Sequence, residues 1–177
     1  LGPAHLPWLF QKQQPANWPK QTNPDMWICY RTNPSISHWN GPEIAKRIAE
    51  FPFTVAFAYT DDETNHMADI LLPEATDLEG LQLIRIGGTK FVQQYWKHQG
   101  WAIRQPVAEP VTDIMDMTDI ATELAKRVGI LEEYNSAINR GAAGQRLTKD
   151  EFDYGLDPTV PHSRDEIWDA VAKAASH

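Results

Sequence analysis

The sequence predicts an α/β protein, a three-layer, doubly wound, Rossmann-like domain with a mostly parallel sheet. Three observations carry this. The apolar run Met26 to Tyr30 ends in a polar Thr32-Asn33-Pro34 loop. A helical pattern follows, and then a second run rich in Phe, Val and Tyr, 53–59. An acidic loop, Asp61-Asp62-Glu63-Thr64, leads to a third run, Ile70 to Pro73. Strand, helix, strand is the order of a βαβ unit, and both loops then leave the same edge of the sheet. In open parallel sheets, ligands bind beyond the carboxyl ends of the strands.

Each element has its own local reason. Residues 1–25 carry Pro3, Pro7, Pro15, Pro19 and Pro24, and read as an extended arm. Trp8, Leu9, Phe10 and Trp18 are too apolar for a solvated linker, so the arm is expected to lie on a surface. Met26 to Tyr30 is short, apolar and aromatic, as buried parallel strands are. Pro34 lacks an N–H and restricts Asn33 to extended geometry, which ends the strand. Gly41-Pro42-Glu43 reads as a helix start, with proline and an acid in the first turn. Ile44 and Ile48 share a face, and Phe51-Pro52 stops that helix. Residues 61–67 read as a loop with one helical turn, and 81–86 as a possible fourth strand.

Gly87-Gly88 marks a turn, 91–104 reads as irregular or β, and Pro106 and Pro110 bracket an extended piece. Met117, Ile120, Ala121, Leu124, Ala125 and Val128 have helical spacing, with Asp116 as N-cap and Gly129 after the end. Residues 131–140 suit a further helix ended by Gly141. Thr148-x-x-Glu151 and Ser163-x-x-Glu166 both match the capping-box pattern. The second opens a last helix in which Ile167, Val171 and Ala174 share a face. The domain reading is an arm at 1–25, a cofactor-binding α/β domain at 26–130 and a helical C-terminal extension at 131–177.

Composition narrows the function. The 177 residues carry a net charge of −8, which argues against a general nucleic-acid binder or an anionic membrane surface. No apolar run approaches the roughly 20 residues of a transmembrane helix. One cysteine, Cys29, excludes an internal disulfide and a cysteine-held cluster. The chain begins at Leu1 without a signal segment, and the expectation is a domain excised from a longer protein. No GxGxxG or phosphate-loop motif occurs. His66 and Asp69 stand three apart without a third ligand, and no nucleophile-base set is recognisable, so metal binding and catalysis by this chain are not expected.

Two loops remain as candidate binding elements. Arg31, Thr32, Asn33, Pro34 and Ser35 follow the first strand, where Arg31 offers a fork for phosphate or a ring edge. The same residues also suit an ordinary strand-exit turn. Asp61, Asp62, Glu63 and Thr64 follow the second strand, where a carboxylate can accept from a guanine edge or a ribose hydroxyl. Acids at a helix start are the alternative.

The segment Glu63-Thr64-Asn65-His66-Met67-Ala68-Asp69-Ile70-Leu71-Leu72-Pro73, followed by Glu79-Gly80, resembles the third domain of molybdopterin oxidoreductases of the dimethyl sulfoxide reductase family. Gln105 to Pro110 and the helix ending Leu124-Ala125-Lys126-Arg127-Val128-Gly129 fit the same family, so the resemblance covers about 24–130. The tail is most similar to the large subunit of phenylacetyl-CoA:acceptor oxidoreductases. The resemblance implies a molybdenum or tungsten ion held by two pterin guanine dinucleotides in the full-length enzyme. The loops at Arg31 to Ser35 and Asp61 to Thr64, with Asp69, would cradle the nucleotide end of one. It implies the remaining domains of the same catalytic subunit, and an iron–sulfur electron-transfer subunit, as partners. The isolated chain is then expected to be inactive and free of cofactor. Ala58-Tyr59-Thr60 stands where the family has Asp-x-Phe, which leaves the guanine contacts open. A non-catalytic interaction domain is the competing reading.

Overall fold

Three short apolar runs pair side by side in the computed structural model, which describes residues 17, 24–38, 40–86, 100–111 and 114–177, with backbone alone for 83–86, 100 and 101. Strands β1 (Trp27–Tyr30), β2 (Thr54–Ala58) and β3 (Ile70–Pro73) form a parallel sheet in the order β1-β2-β3. The register aligns Cys29 with Ala56, and Ala56 with Leu71. The protein is thus mixed α/β, with a three-stranded parallel sheet flanked by helices, and β1 and β2 are adjacent as the βαβ reading requires.

Helix α1 (Pro34–Ser37) is a single turn, and α2 (Gly41–Ile48) supplies the crossover between β1 and β2. Proline lies in the first turn of α2 with Glu43, and Lys46 and Arg47 lie in its last turn. That order suits the helix dipole. Ile44 and Ile48 are buried, as their spacing predicts. Trp27 stacks on Phe51 just beyond the helix, with ring centroids 5.5 Å apart. The alternation of β1 and β2 buries Cys29 and Ala56 on one face. The other face carries Ile28, Tyr30, Ile70 and Leu72, each about two-fifths exposed.

The chain separates into two compact units, residues 1–74 and 75–177. The division falls inside 26–130, the stretch read as one α/β domain. Of the arm at 1–25, residues 1–16 and 18–23 lie outside the described residues.

In the second unit, β4 (Gln82–Ile86) pairs antiparallel with β5 (Gly100–Arg104) in a sheet of its own. Residues 74–81 are too few for the crossover of about a dozen residues that a parallel neighbour of β3 would need. The predicted turn at Gly87-Gly88 and most of the 91–104 stretch lie outside the described residues. Helices α3 (Met117–Val128) and α4 (Leu131–Asn139) follow. Asp116 caps α3 by accepting from the Thr118 amide at 2.8 Å, and Gly129 takes the left-handed conformation at its end. Both match the sequence reading.

Thr148-x-x-Glu151 is not a helix cap. Thr148–Lys149 forms β6, which pairs antiparallel with β7 (Phe152–Asp153). Extended pairing drives the Phe152 ring into the core with Ile138, Leu147, Ile167, Val171 and Ala174, a burial that outweighs a cap. Ser163 and Glu166 do form a capping box, which opens α5 (Arg164–Ala175). The bonds from Ser163 hold the Glu166 carboxyl below its usual range.

Asn135 on α4 is fully buried. Its Nδ2 faces three carbonyl oxygens, those of Val160 at 2.8 Å, Pro158 at 3.1 Å and Asp157 at 3.4 Å. One turn on, Asn139 donates to Leu156 O at 2.8 Å and accepts from Leu156 N at 2.9 Å. Two asparagines on one helix thereby stand in for a strand partner to the 156–160 loop. Among the described residues, no helix is long and apolar enough to cross a membrane.

Candidate functional site

The carboxyl ends of β1 and β2 deliver Arg31 to Ser35 and Tyr59 to Asn65 to one sheet edge, because parallel strands exit on the same side. The two loops are locked together. Thr64, 1% exposed, donates from Oγ1 to Asn33 Oδ1 at 2.7 Å, stands 2.9 Å from Ser35 Oγ and accepts from the Ser35 amide at 3.1 Å. Asn33 Nδ2 donates to Glu63 at 2.7 Å, which holds the Glu63 carboxyl below its usual range. Asn33 is the residue before α1, yet its side chain makes no cap bond to that helix and crosses to the second loop instead.

The second loop is shaped by Asp62. Its Oδ1 accepts from the Thr64 and Asn65 amides, both at 2.9 Å, and Asn65 Nδ2 donates to Thr60 O at 3.0 Å. These bonds start the 3-10 turn Asn65–Met67. The helix-start role for the acidic loop thus holds for Asp62. Asp61 is exposed and lies 3.7 Å from His66 Nδ1.

Asp69 is elsewhere. It accepts from the Thr54 amide at 2.7 Å, at the amino-terminal ends of β2 and β3. Its carboxylate replaces a sheet partner at that edge, the full length of β2 from the loops. Of the ten residues selected from sequence, nine lie at the carboxyl edge, Pro34 buried beneath it as the first residue of α1. Asp69 alone does not.

The structure adds residues that the sequence reading missed. Glu74, one residue past β3, has a side chain only 3% exposed. It accepts from Arg31 Nε at 2.7 Å and from the Tyr30 hydroxyl at 2.8 Å. Arg31 itself sits at φ 45°, in the left-handed region. Its guanidinium carbon lies 5.4 Å from the Tyr59 ring centroid and 5.6 Å from that of Tyr30. The available signal for Glu74 was positional, an acid directly after a third parallel strand and so at the same edge.

A cleft of about 200 Å³ opens between the loops, lined by Arg31, Asn33, Tyr59, Thr60, Asp62 and Asn65 among others. A second groove of about 290 Å³, lined by Asp61, Leu71 and Pro73, shares Ala58, Tyr59 and Thr60 with it. Tyr59, half exposed, therefore stands as the wall between them. Such a pair of hollows offers flat surfaces with hydrogen-bonding groups at their edges. Among the described residues no three His, Cys, Asp or Glu side chains gather as a metal site requires.

Cys29 lies beneath the first loop, 1% exposed, with Sγ 3.4 Å from Thr32 O. Burial, and then the Asp62 charge, push its thiol up to about 11. The folded state therefore keeps a proton that the unfolded chain, near 9.0, gives up first. Stability attributable to this group is intact below pH 9.0 and declines as pH rises from there toward about 11. At pH 8, alkylation by iodoacetamide is expected to be slow in the native protein and fast in denaturant. Rapid native labelling would contradict the burial.

No protein-family model matches the chain, and no curated protein sequence matches it.

Proposed function

We propose that residues 24–74 hold the nucleotide end of a pterin guanine dinucleotide, as part of a doubly wound, Rossmann-like domain in a molybdenum or tungsten oxidoreductase catalytic subunit. The observation that carries this reading is the Thr64 bridge. One buried hydroxyl fixes an Asn-Pro loop against an acidic loop at the carboxyl edge of a parallel sheet, where such folds take their ligands. The family resemblance supplies the identity of the ligand. The residues present fit a base and its sugar. The cleft of about 200 Å³ has the size for a ring system, not a whole dinucleotide. Asp61 and Asp62 can accept N–H groups from a guanine edge, and Asn33 and Asn65 offer amides. When bound, the metal carries the redox chemistry, and this chain supplies binding and orientation. The remaining domains of the subunit would supply the other contacts, and an iron–sulfur subunit the electrons.

Because one unit makes only part of the contacts while the association cost is borne in full, the isolated chain should bind weakly, with a Kd on the order of 1 mM. Titration with guanosine diphosphate, followed by chemical-shift change, is expected to move the amides of 31–35 and 59–65. Adenosine diphosphate should move them less, and Asn33→Ala should abolish the difference. Equal responses to the two nucleotides would remove guanine recognition from the acidic loop.

A second reading is an interaction domain that keeps the fold and holds no cofactor. One observation favours it: β3 leaves Ile70, Leu71 and Leu72 each about two-fifths exposed or more. Nucleotide titration separates the two, since an interaction domain gives no nucleotide response.

A further inference from the structure

We infer that Glu74 is a positioning residue that fixes Arg31 as a flat, charge-compensated wall of the cleft, so that the ligand is met there as a planar base rather than as a phosphate. The inference rests on the nucleotide reading above and refines which part of the ligand the edge contacts.

Glu74 holds a carboxylate in an unfavourable place. A side chain 3% exposed cannot keep its charge without partners, and Glu74 has two, Arg31 Nε and the Tyr30 hydroxyl. Arg31 is in an equally unusual place. A side chain with a Cβ at φ 45° is disfavoured by about 1 kcal/mol, so something must hold it. Sheet pairing persists up to this residue, whose amide donates to Phe57 O at 3.2 Å. Beyond that bond, the short ion pair to Glu74 holds the Arg31 side chain. The ion pair uses the Nε edge of the fork, so the guanidinium plane is set by the carboxylate and lies within 6 Å of both tyrosine centroids.

Charge then decides what this wall faces. Glu74 balances Arg31, and the opposite loop brings Asp62 to the cleft, with Asp61 in the adjoining groove. A phosphate in the cleft would meet the Asp62 carboxylate with its nearest cation already paired, whereas an uncharged heterocycle meets a planar cation and a phenol ring. The 200 Å³ cleft is therefore built for the base.

Binding of guanosine and of guanosine diphosphate to the full chain, at low and high salt, tests this together with the Arg31 Nε–H resonance. The wild type is expected to bind both ligands within about threefold of each other and with little salt dependence. Glu74→Gln is expected to lose the slowly exchanging Nε–H signal and about tenfold in guanosine affinity. Arg31→Lys, which keeps the charge but not the plane, should lose as much, and the double variant no more than either. If Glu74→Gln does not fold, Arg31→Lys carries the same comparison. A diphosphate preference of about tenfold or more with steep salt dependence would overturn the inference, as would unchanged affinity in both variants. Absence of any nucleoside binding by the wild type would overturn the nucleotide reading, and the base-facing role with it. Nucleotide binding that both variants leave intact would overturn the role of Glu74 alone.

Discussion

Asn135→Asp is expected to destabilise the second unit by about 4 kcal/mol, near the upper end of single-residue effects. The wild-type amide points its two N–H bonds at the carbonyls of Asp157, Pro158 and Val160 from a site with no solvent exposure. A carboxylate of the same shape would turn lone pairs toward those oxygens and bury a charge without a partner. Its pKa would rise, and the variant should recover part of its stability at low pH. Asn135→Ala removes the repulsion yet strips the Pro158 and Val160 carbonyls of their amide donor and leaves a void behind, for an expected loss of about 3 kcal/mol. Urea denaturation followed by the amide resonances of α4 and α5 measures both. A loss under about 1 kcal/mol for Asn135→Asp would mean that water reaches the loop carbonyls.

Thr64→Val should have the largest effect in the first unit, about 3 kcal/mol. Valine fills the same volume, so packing is conserved and the loss reports the hydroxyl. Asn33 Oδ1 loses its donor and the buried Ser35 amide its acceptor. Thr64→Ser keeps the oxygen and is expected to lose about 1 kcal/mol or less. Hydrogen exchange at the Ser35 amide should accelerate in Thr64→Val and change little in Thr64→Ser. Equal protection in both would show that the two loops are held together by something other than this oxygen.

Much of the first unit is written in local chemistry. The strands at Trp27–Tyr30 and Thr54–Ala58 and the helix at Gly41–Ile48 lie where apolar runs, Pro42 and the Ile44 and Ile48 spacing put them. Adjacency of the loops followed from parallel exit alone. What sequence could not decide was which polar groups point inward. Asp62 and Asp69 are both acids near strand ends, yet one starts the turn at the cleft and the other completes backbone bonding at the opposite end of the sheet. Their difference depends on the order of exit and entry, not on residue type. The pairing of Glu74 with Arg31 is invisible without the sheet, because the two are 43 residues apart in sequence. The Thr148 motif misled for a related reason. A capping pattern is a weak local preference, and the burial of Phe152 in a core assembled from α4 and α5 overrides it.

The connectivity of the parallel sheet bears on how this chain can be made. Trp27 pairs with Thr54 and Val55 with Ile70, so each strand waits only for the next crossover before it finds its neighbour. Parallel sheets usually fold slowly, since loop closure over long stretches must precede the contacts that reward it. Here the closures are short and strictly sequential, and among the described residues no strand of the sheet comes from beyond Pro73. Once that residue has cleared the ribosome, the three strands β1, β2 and β3 are all available to pair. Translation from the amino end can therefore pair these three strands while the helices of the second unit are still being added.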